Sequence, residues 1–405
     1  MAVSATLACS KVLKENKNIY NFGLGANPLK QPKFYIEQMR IFAHQKEYTP
    51  TSGIDDLKNS IINKYSSQNY QVDNIILGNG LKELLFLVQL AFDGKIYHIT
   101  PSWVSYKEQI KILNKESELI ELQTHLEYEY KINLNYLDAE LSRFKSSKKL
   151  LIFNNPNNPT GLSYTPEEVE AIAKILKKHN CIVLADEIYL NVHHFSKTQT
   201  ISDYIPELTI KGTSVSKDLA CGGYRLGWIT FPKQLEDLYL KCNSFASSII
   251  SCPNVPTQYA TDKMLNNEIV LNDYFHMTNI IYKYIVDKVD SILKDSNIKF
   301  IKPNSGWYIF LNFDNYRDKL KLLNIKNSYD LHSYLLNNLN ILTVAGENFN
   351  CSGLNLRLSL IDINTDLLYK TEINSQNVLS TLQENPEILD KIKKGLKVLI
   401  DFLSN

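Results

Sequence analysis

The sequence predicts an α/β protein built on a mainly parallel sheet, with a smaller α+β domain beside it. Three observations predict this. Short apolar strands alternate with helical stretches through the middle of the chain. After about residue 256 the pattern changes to longer helices and one strand-like segment, 306–313. The 405 residues, 44% of them hydrophobic, exceed one average domain and supply enough apolar side chain for a substantial core.

The strands are read at 75–77, 96–99, 150–153, 182–185, 209–212 and 228–231, each an apolar run followed by turn residues. Helices are read between them at 82–92, 105–113, 165–179 and 233–245. The clearest helix start is Thr165-Pro166-Glu167-Glu168, with threonine as N-cap, proline at the first helical position and Glu168 placed for a capping box. The expected division is an N-terminal segment 1–45 packing on the small domain, a large domain 46–270 and a small C-terminal domain 271–405. No internal repeat and no Gly/Ser or Pro-rich linker separates the parts, so they are expected to pack closely.

Composition narrows the function. Forty-four Lys+Arg against 43 Asp+Glu give a net charge of +1, which provides no global attraction to nucleic acid or an anionic membrane. The longest apolar run, 84–92, falls short of the roughly 18 residues of a membrane span, and residues 1–14 lack the pattern of a signal peptide. Six scattered cysteines without a CxxC pair read as reduced thiols, so a cytoplasmic protein is expected. The histidines show no metal-ligand spacing, and no metal is expected. Only Arg40, Arg143, Arg225, Arg317 and Arg357 are arginines, which makes each a candidate for a role needing a planar fork.

In open α/β sheets ligands gather beyond the carboxyl ends of the strands. The residues there are Gly78-Asn79-Gly80, Pro101-Ser102-Trp103, the loop 154–161, Asp186 to Tyr189, and Thr213 to Lys217. Together they suit an aromatic heterocycle bearing a phosphate and an aldehyde. Lys217 offers an amine for a Schiff base, and Asp186 a carboxylate to hold a proton on a pyridine nitrogen. Asn158 and Tyr189 offer hydrogen bonds to a ring oxygen, and Trp103 a stacking face. Gly80, Leu81 and Lys82 open a helix whose N–H groups suit a phosphate, joined by the Ser214 hydroxyl and the Arg225 fork. The sequence around Gly23 and Gly25 lacks the third glycine of a dinucleotide loop, which sets a Rossmann dehydrogenase aside.

Seven motifs in order carry a resemblance: YTPTSG (48–53), GNGLKE (78–83), PSWVSY (101–106), NNPTG (157–161), ADEIY (185–189), SVSKDLACGGYRLGW (214–228) and NLRLS (355–359). With them the chain resembles the class I/II aminotransferases, the aspartate aminotransferase family of fold-type I pyridoxal-phosphate (PLP) enzymes. The resemblance implies a mostly parallel seven-stranded sheet flanked by helices. It implies pyridoxal 5'-phosphate as cofactor, an amino acid and a 2-oxo acid as substrates, and a homodimer with shared active sites. It also implies Lys217 as Schiff-base lysine and proton shuttle, and Tyr48 as the tyrosine reaching the phosphate of the neighbouring subunit. Arg357, set in an apolar strand, resembles the arginine for the substrate carboxylate, and Gly25 the segment lying over the substrate. No residue matches the second arginine of dicarboxylate-specific members. The alternative is a lyase of the 1-aminocyclopropane-1-carboxylate synthase type, which SVSKDL and GYRLGW also resemble, although those enzymes carry a glutamate where this chain has Ala26. A cofactor-binding regulator without catalysis is a more distant reading.

Overall fold

The computed structural model describes residues 5–16, 18–65, 69–194 and 199–404; Met1 to Ser4, at the start of the expected N-terminal segment, lie outside the described residues. Seven strands form the main sheet: β1 (Tyr70–Gly78), β2 (Lys95–Thr100), β3 (Leu119–Gln123), β4 (Lys149–Asn154), β5 (Ile182–Asp186), β6 (Thr209–Ser214) and β7 (Gly227–Pro232), in the order β1-β7-β6-β5-β4-β2-β3. All neighbours run parallel except β7, which is antiparallel to both β1 and β6. Between β6 and β7 lie only the one-turn helix Val215–Asp218 and the 3-10 turn Gly222–Tyr224, with no helix long enough to carry a parallel crossover.

Alternate residues of the central strands bury opposite faces. Leu150 and Ile152 join the apolar cluster with Leu84, Val88 and Ile229, whereas Leu151 and Phe153 join the one with Val169, Ile172 and Leu176. Covered on both sides, the parallel strands read as continuous apolar runs, which is why the sequence reveals them. Helix α1 (Leu81–Ala91) covers one face and α2 (Pro166–Lys178) the other. Helix α2 begins with the expected capping box: the Thr165 side chain accepts from Glu168 N, and the Glu168 carboxylate accepts from Thr165 N.

The later half holds a long helix α3 (Glu268–Leu293) and a three-stranded antiparallel sheet. That sheet is β8 (Tyr308–Asn312), β9 (Val344–Ala345) and β10 (Asn355–Ser359), with β10 in the middle. Arg357 is the central residue of β10, paired with Val344 on one side and Phe310 on the other. The N-terminal segment joins this half: Tyr20–Asn21 pairs with Ile341–Leu342 and Ser359 N donates to Phe22 O. Residues 25–27 are thereby laid against Lys217, just after β6: Gly25 O accepts from its side chain and Asn27 donates to its carbonyl.

Candidate active site

A cleft of about 480 Å³ opens between the carboxyl ends of the main sheet and β8–β10. It is lined by Gly25, Leu81, Lys82, Trp103, Asn158, Asp186, Tyr189, Lys217 and Arg357, nine of the thirteen predicted site residues. Gly80 and Ser214 do not line it, but both lie against Gly227 beside Leu81, which does.

The anion cradle is built by close backbone approach. Gly80 caps α1 with φ +88°, and a Cβ there would collide with the Arg225 guanidinium. Gly227 is equally constrained, since its Cβ would lie 2.6 Å from Leu81 N and 3.0 Å from Ser214 Cβ. The start of α1, Ser214 and Arg225 therefore converge. Arg225 adopts a left-handed backbone, φ +55°, and donates to Asn79 O at 2.7 Å and Gly222 O at 2.8 Å. Two N–H groups of its fork are thus fixed before any anion arrives.

Asp186 ends β5 at 3% exposure. Its carboxylate accepts from Tyr106 Oη at 2.6 Å and from Ile188 N at 3.2 Å. Burial pushes its pKa up to about 6, while those two donors pull it back. Asn154 donates to Asp186 O and accepts from Asn158 N, which ties the NNPTG loop to β5. The Asn158 side-chain oxygen accepts from Arg357 Nη1 at 3.3 Å, so its amide NH₂ is left to donate into the cleft. Tyr189 Oη lies 2.9 Å from Tyr308 Oη, and Tyr308 donates to Gly25 O at 3.2 Å.

Lys217 sits in the one-turn helix Val215–Asp218 that follows β6, and its ammonium donates to Gly25 O. The Trp307 and Tyr189 rings lie 5.7 and 5.9 Å from its nitrogen. Gly25 is required for contact, since a Cβ there would come within 2.6 Å of Tyr308 Oη. Arg357 is 1% exposed and donates to Gly23 O at 2.6 Å; its guanidinium also faces the Tyr308 ring at 4.6 Å and Phe349 at 5.1 Å. Among the described residues no carboxylate pairs with it, and its Nε is buried without a partner. A buried cation left so is costly unless an anion joins it. Lys82, at the rim, holds its ammonium 4.9 Å from the Trp103 ring centre, again with no ion-pair partner among the described residues. Partial burial, with Arg225 and Lys217 nearby, lowers its pKa.

Tyr48 is not brought to this cleft; it is 88% exposed on the single chain. Sequence reasoning missed three contributors: Tyr106, Tyr308 and Asn27, whose side chain donates to Lys217 O at 2.9 Å. Tyr106 and Asn27 stand inside motifs that were read, PSWVSY and the segment around Gly25.

A cleft with a lysine amine, a buried carboxylate, a flat aromatic wall and an anion cradle defines an enzyme that works through a phosphorylated aldehyde cofactor. Comparison with known proteins names the family. The profile described as "Aminotransferase class I and II" matches residues 17–367, and the chain belongs to that family. The aspartate aminotransferase of Bacillus sp. (strain YM-2) is 30% identical over 367 residues, covering 85% of this chain and 89% of the relative. A protein of Aquifex aeolicus described as a probable aspartate/prephenate aminotransferase is 27% identical over 374 residues, covering 88% and 91%. In fold, the structure of aspartate aminotransferase from Thermus thermophilus with maleate superimposes with a TM-score of 0.80 at 22% identity, covering 98% of this chain and 97% of the other. The protein is thus a PLP-dependent aminotransferase of fold type I, and the match favours amino transfer over γ-elimination.

Proposed function

We propose that this aminotransferase takes its amino group from an acidic amino acid, aspartate foremost, and passes it to a 2-oxo acid, with PLP held in the cleft described above. The observation that carries the site assignment is the buried Arg357 guanidinium, which has no counter-ion among the described residues and faces the same space as Lys217. A substrate α-carboxylate would complete it with a two-bond fork.

The residues present fit the cofactor. The start of α1 at Gly80 and Leu81, with Ser214 and Arg225, suits a phosphate dianion. Asp186 suits the ring nitrogen, Asn158 and Tyr189 the ring oxygen, and Trp103 the ring face. When bound, the cofactor supplies an electron sink that makes the substrate α-proton acidic. Lys217 would hold the cofactor, and its amine would take and return that proton. Arg357 and the Gly25 carbonyl set the substrate's orientation.

Lys82 carries the choice of substrate. The sequence reading gave the phosphate its place at the helix start, a role for the Lys82 backbone N–H that leaves the side chain free, and the Lys82 ammonium over Trp103 has no carboxylate partner among the described residues. We assign it to the side-chain carboxylate, in keeping with the names of the relatives. Cofactor-loaded protein should process aspartate or glutamate with a kcat/KM at least about tenfold above alanine, the worth of one charge-assisted bond. Lys82→Met should erase that preference and leave cofactor affinity unchanged. If it instead sheds cofactor and keeps the preference, Lys82 serves the phosphate and the acidic-substrate reading fails.

The proposal extends to a cytoplasmic homodimer, divided at 1–45, 46–270 and 271–405, with Tyr48 completing the neighbour's phosphate site. The exposure of a tyrosine in YTPTSG supports it. Mixed Tyr48→Phe and Lys217→Ala proteins should recover activity above the sum of the two; no recovery after verified subunit exchange would refute the shared site.

A further inference from the structure

Lys217 must do two things in sequence, hold the cofactor and then carry a proton, so its backbone has to stay still while its side chain changes partners. The one-turn helix Val215–Asp218 is a poor platform for this, because a helix so short satisfies almost none of its own carbonyls. The Lys217 carbonyl receives the backbone N–H of the cap residue Leu219 and, at a long 3.3 Å, that of Ala220. A side-chain donor reaches it from 190 residues away: Asn27 Nδ2, at 2.9 Å.

The orientation of that amide is determined by its other side. Asn27 Oδ1 accepts from Tyr282 Oη at 2.8 Å and from Leu29 N at 3.1 Å. With two donors on the oxygen, the NH₂ group has to face Lys217. Tyr282 lies on α3, is fully buried, and does not line the cleft. Its ring stacks on Trp307 at 5.0 Å and 30°, and Trp307 in turn meets Tyr189 edge-on at 5.4 Å. The Asn27 amide therefore joins α3, the segment over the substrate and the lysine's own helix.

We propose that Asn27 is a positioning residue for Lys217, anchored by Tyr282, which holds the lysine's main chain fixed while Gly25, two residues earlier, receives its side-chain nitrogen. The inference rests on Lys217 being the cofactor lysine. Segment 25–27 then grips that residue at both ends. When the substrate amine displaces Lys217, the freed nitrogen stays within reach of the α-carbon because the backbone beneath it cannot shift. Errors of about 1 Å in such placements cost up to a hundredfold in rate.

Two variants separate positioning from plain stability. Asn27→Asp keeps the acceptor for Tyr282 and Leu29 but sets a second acceptor against Lys217 O. Tyr282→Phe keeps the stack on Trp307 and removes only the anchoring hydroxyl. Two rates are measured on each: the saturating single-turnover rate of the loaded enzyme with its amino acid, and the rate at which added PLP becomes attached to Lys217 of cofactor-free protein, read by borohydride trapping and peptide mapping. Asn27→Asp should slow both by about tenfold, the scale of one lost hydrogen bond, and Tyr282→Phe by about threefold, with half-saturation unchanged. Wild-type values for both rates in both variants, with only a lower melting temperature, would overturn the proposal. So would a deficit confined to half-saturation. Trapping on another lysine in the wild-type protein would instead remove the Lys217 assignment itself, and that control is read before either variant.

Discussion

Tyr106→Phe tests whether the ring-nitrogen partner is tuned by a residue that touches no ligand. The change removes one oxygen, the donor to Asp186 Oδ2 at 2.6 Å. The ring itself remains packed edge-on against Trp103 at 5.4 Å and His98 at 5.5 Å, so the fold should survive. A hydrogen bond to a buried carboxylate is worth about 1.5–3 kcal/mol, and 1.36 kcal/mol corresponds to one pKa unit. Losing it should lift the Asp186 pKa from about 6 by roughly one to two units. The ring nitrogen competes with Asp186 for one proton, so the shift weakens the cofactor as an electron sink. The single-turnover rate with amino acid at pH 7 should fall about tenfold to hundredfold.

Rising pH should not rescue the variant: the competition is for one proton shared inside the pair, and raising the pH can strip that proton but cannot return it to the ring nitrogen. Stopped-flow absorbance between pH 6 and 9 follows both enzymes. A variant that runs at the wild-type rate at pH 7, or one whose deficit vanishes as the pH rises to 8, would refute the reasoning.

Arg357→Lys should keep the charge but lose the fork, at a cost on the order of 2–4 kcal/mol, or tens to several hundredfold in kcat/KM, while cofactor affinity stays put. Cofactor loss with normal turnover at saturating cofactor would show that Arg357 does not hold the substrate. Asp218→Asn addresses stability: Asp218 is buried beside Lys217, its one donor among the described residues is Asn191 at 2.6 Å, and burial pushes its pKa up to about 7. A carboxyl raised in the folded state loses stability as pH climbs from its unfolded value near 4 to its folded value near 7. The asparagine variant escapes that loss. Its melting temperature, in cofactor-free protein, should match the wild type near pH 5 and exceed it by a few degrees at pH 8, for a difference on the order of 2–4 kcal/mol. An equal gap at both pH values, or a less stable variant at pH 8, would count against it. Asp186 titrates in the same range but is present in both proteins, so it cancels in the comparison.

The fold was legible where burial on both faces writes an apolar run, as at Leu150 to Phe153. It was not at Leu119–Gln123: this edge strand is only half-buried, and its glutamate and glutamine break the run. The antiparallel course of Gly227–Pro232 was recoverable in principle, because a connection of a dozen residues broken into two single helical turns lacks the helix that usually carries a parallel crossover. Hydropathy carries no strand direction, and connection length does.

The site divides along the same physical line. Asp186, Trp103, Asn158 and Lys217 each follow a strand directly, so the rule that ligands gather at strand ends finds them one at a time. Tyr106, Tyr308 and Asn27 each act on another side chain or carbonyl that only folding brings near: Asp186 from 80 positions away, Gly25 from 283 and Lys217 from 190. A tyrosine within an apolar segment or an asparagine in an Asn-rich chain carries no mark of such a partner. The groups meant for the ligand's chemistry are therefore local in sequence, whereas the groups that hold them at working geometry are not. That is why variants of the second kind, Tyr106→Phe above all, test the structure more severely than removal of Lys217 would: loss of the lysine is expected from the motif alone, while a deficit at Tyr106 that rising pH does not rescue follows only from the bond to Asp186.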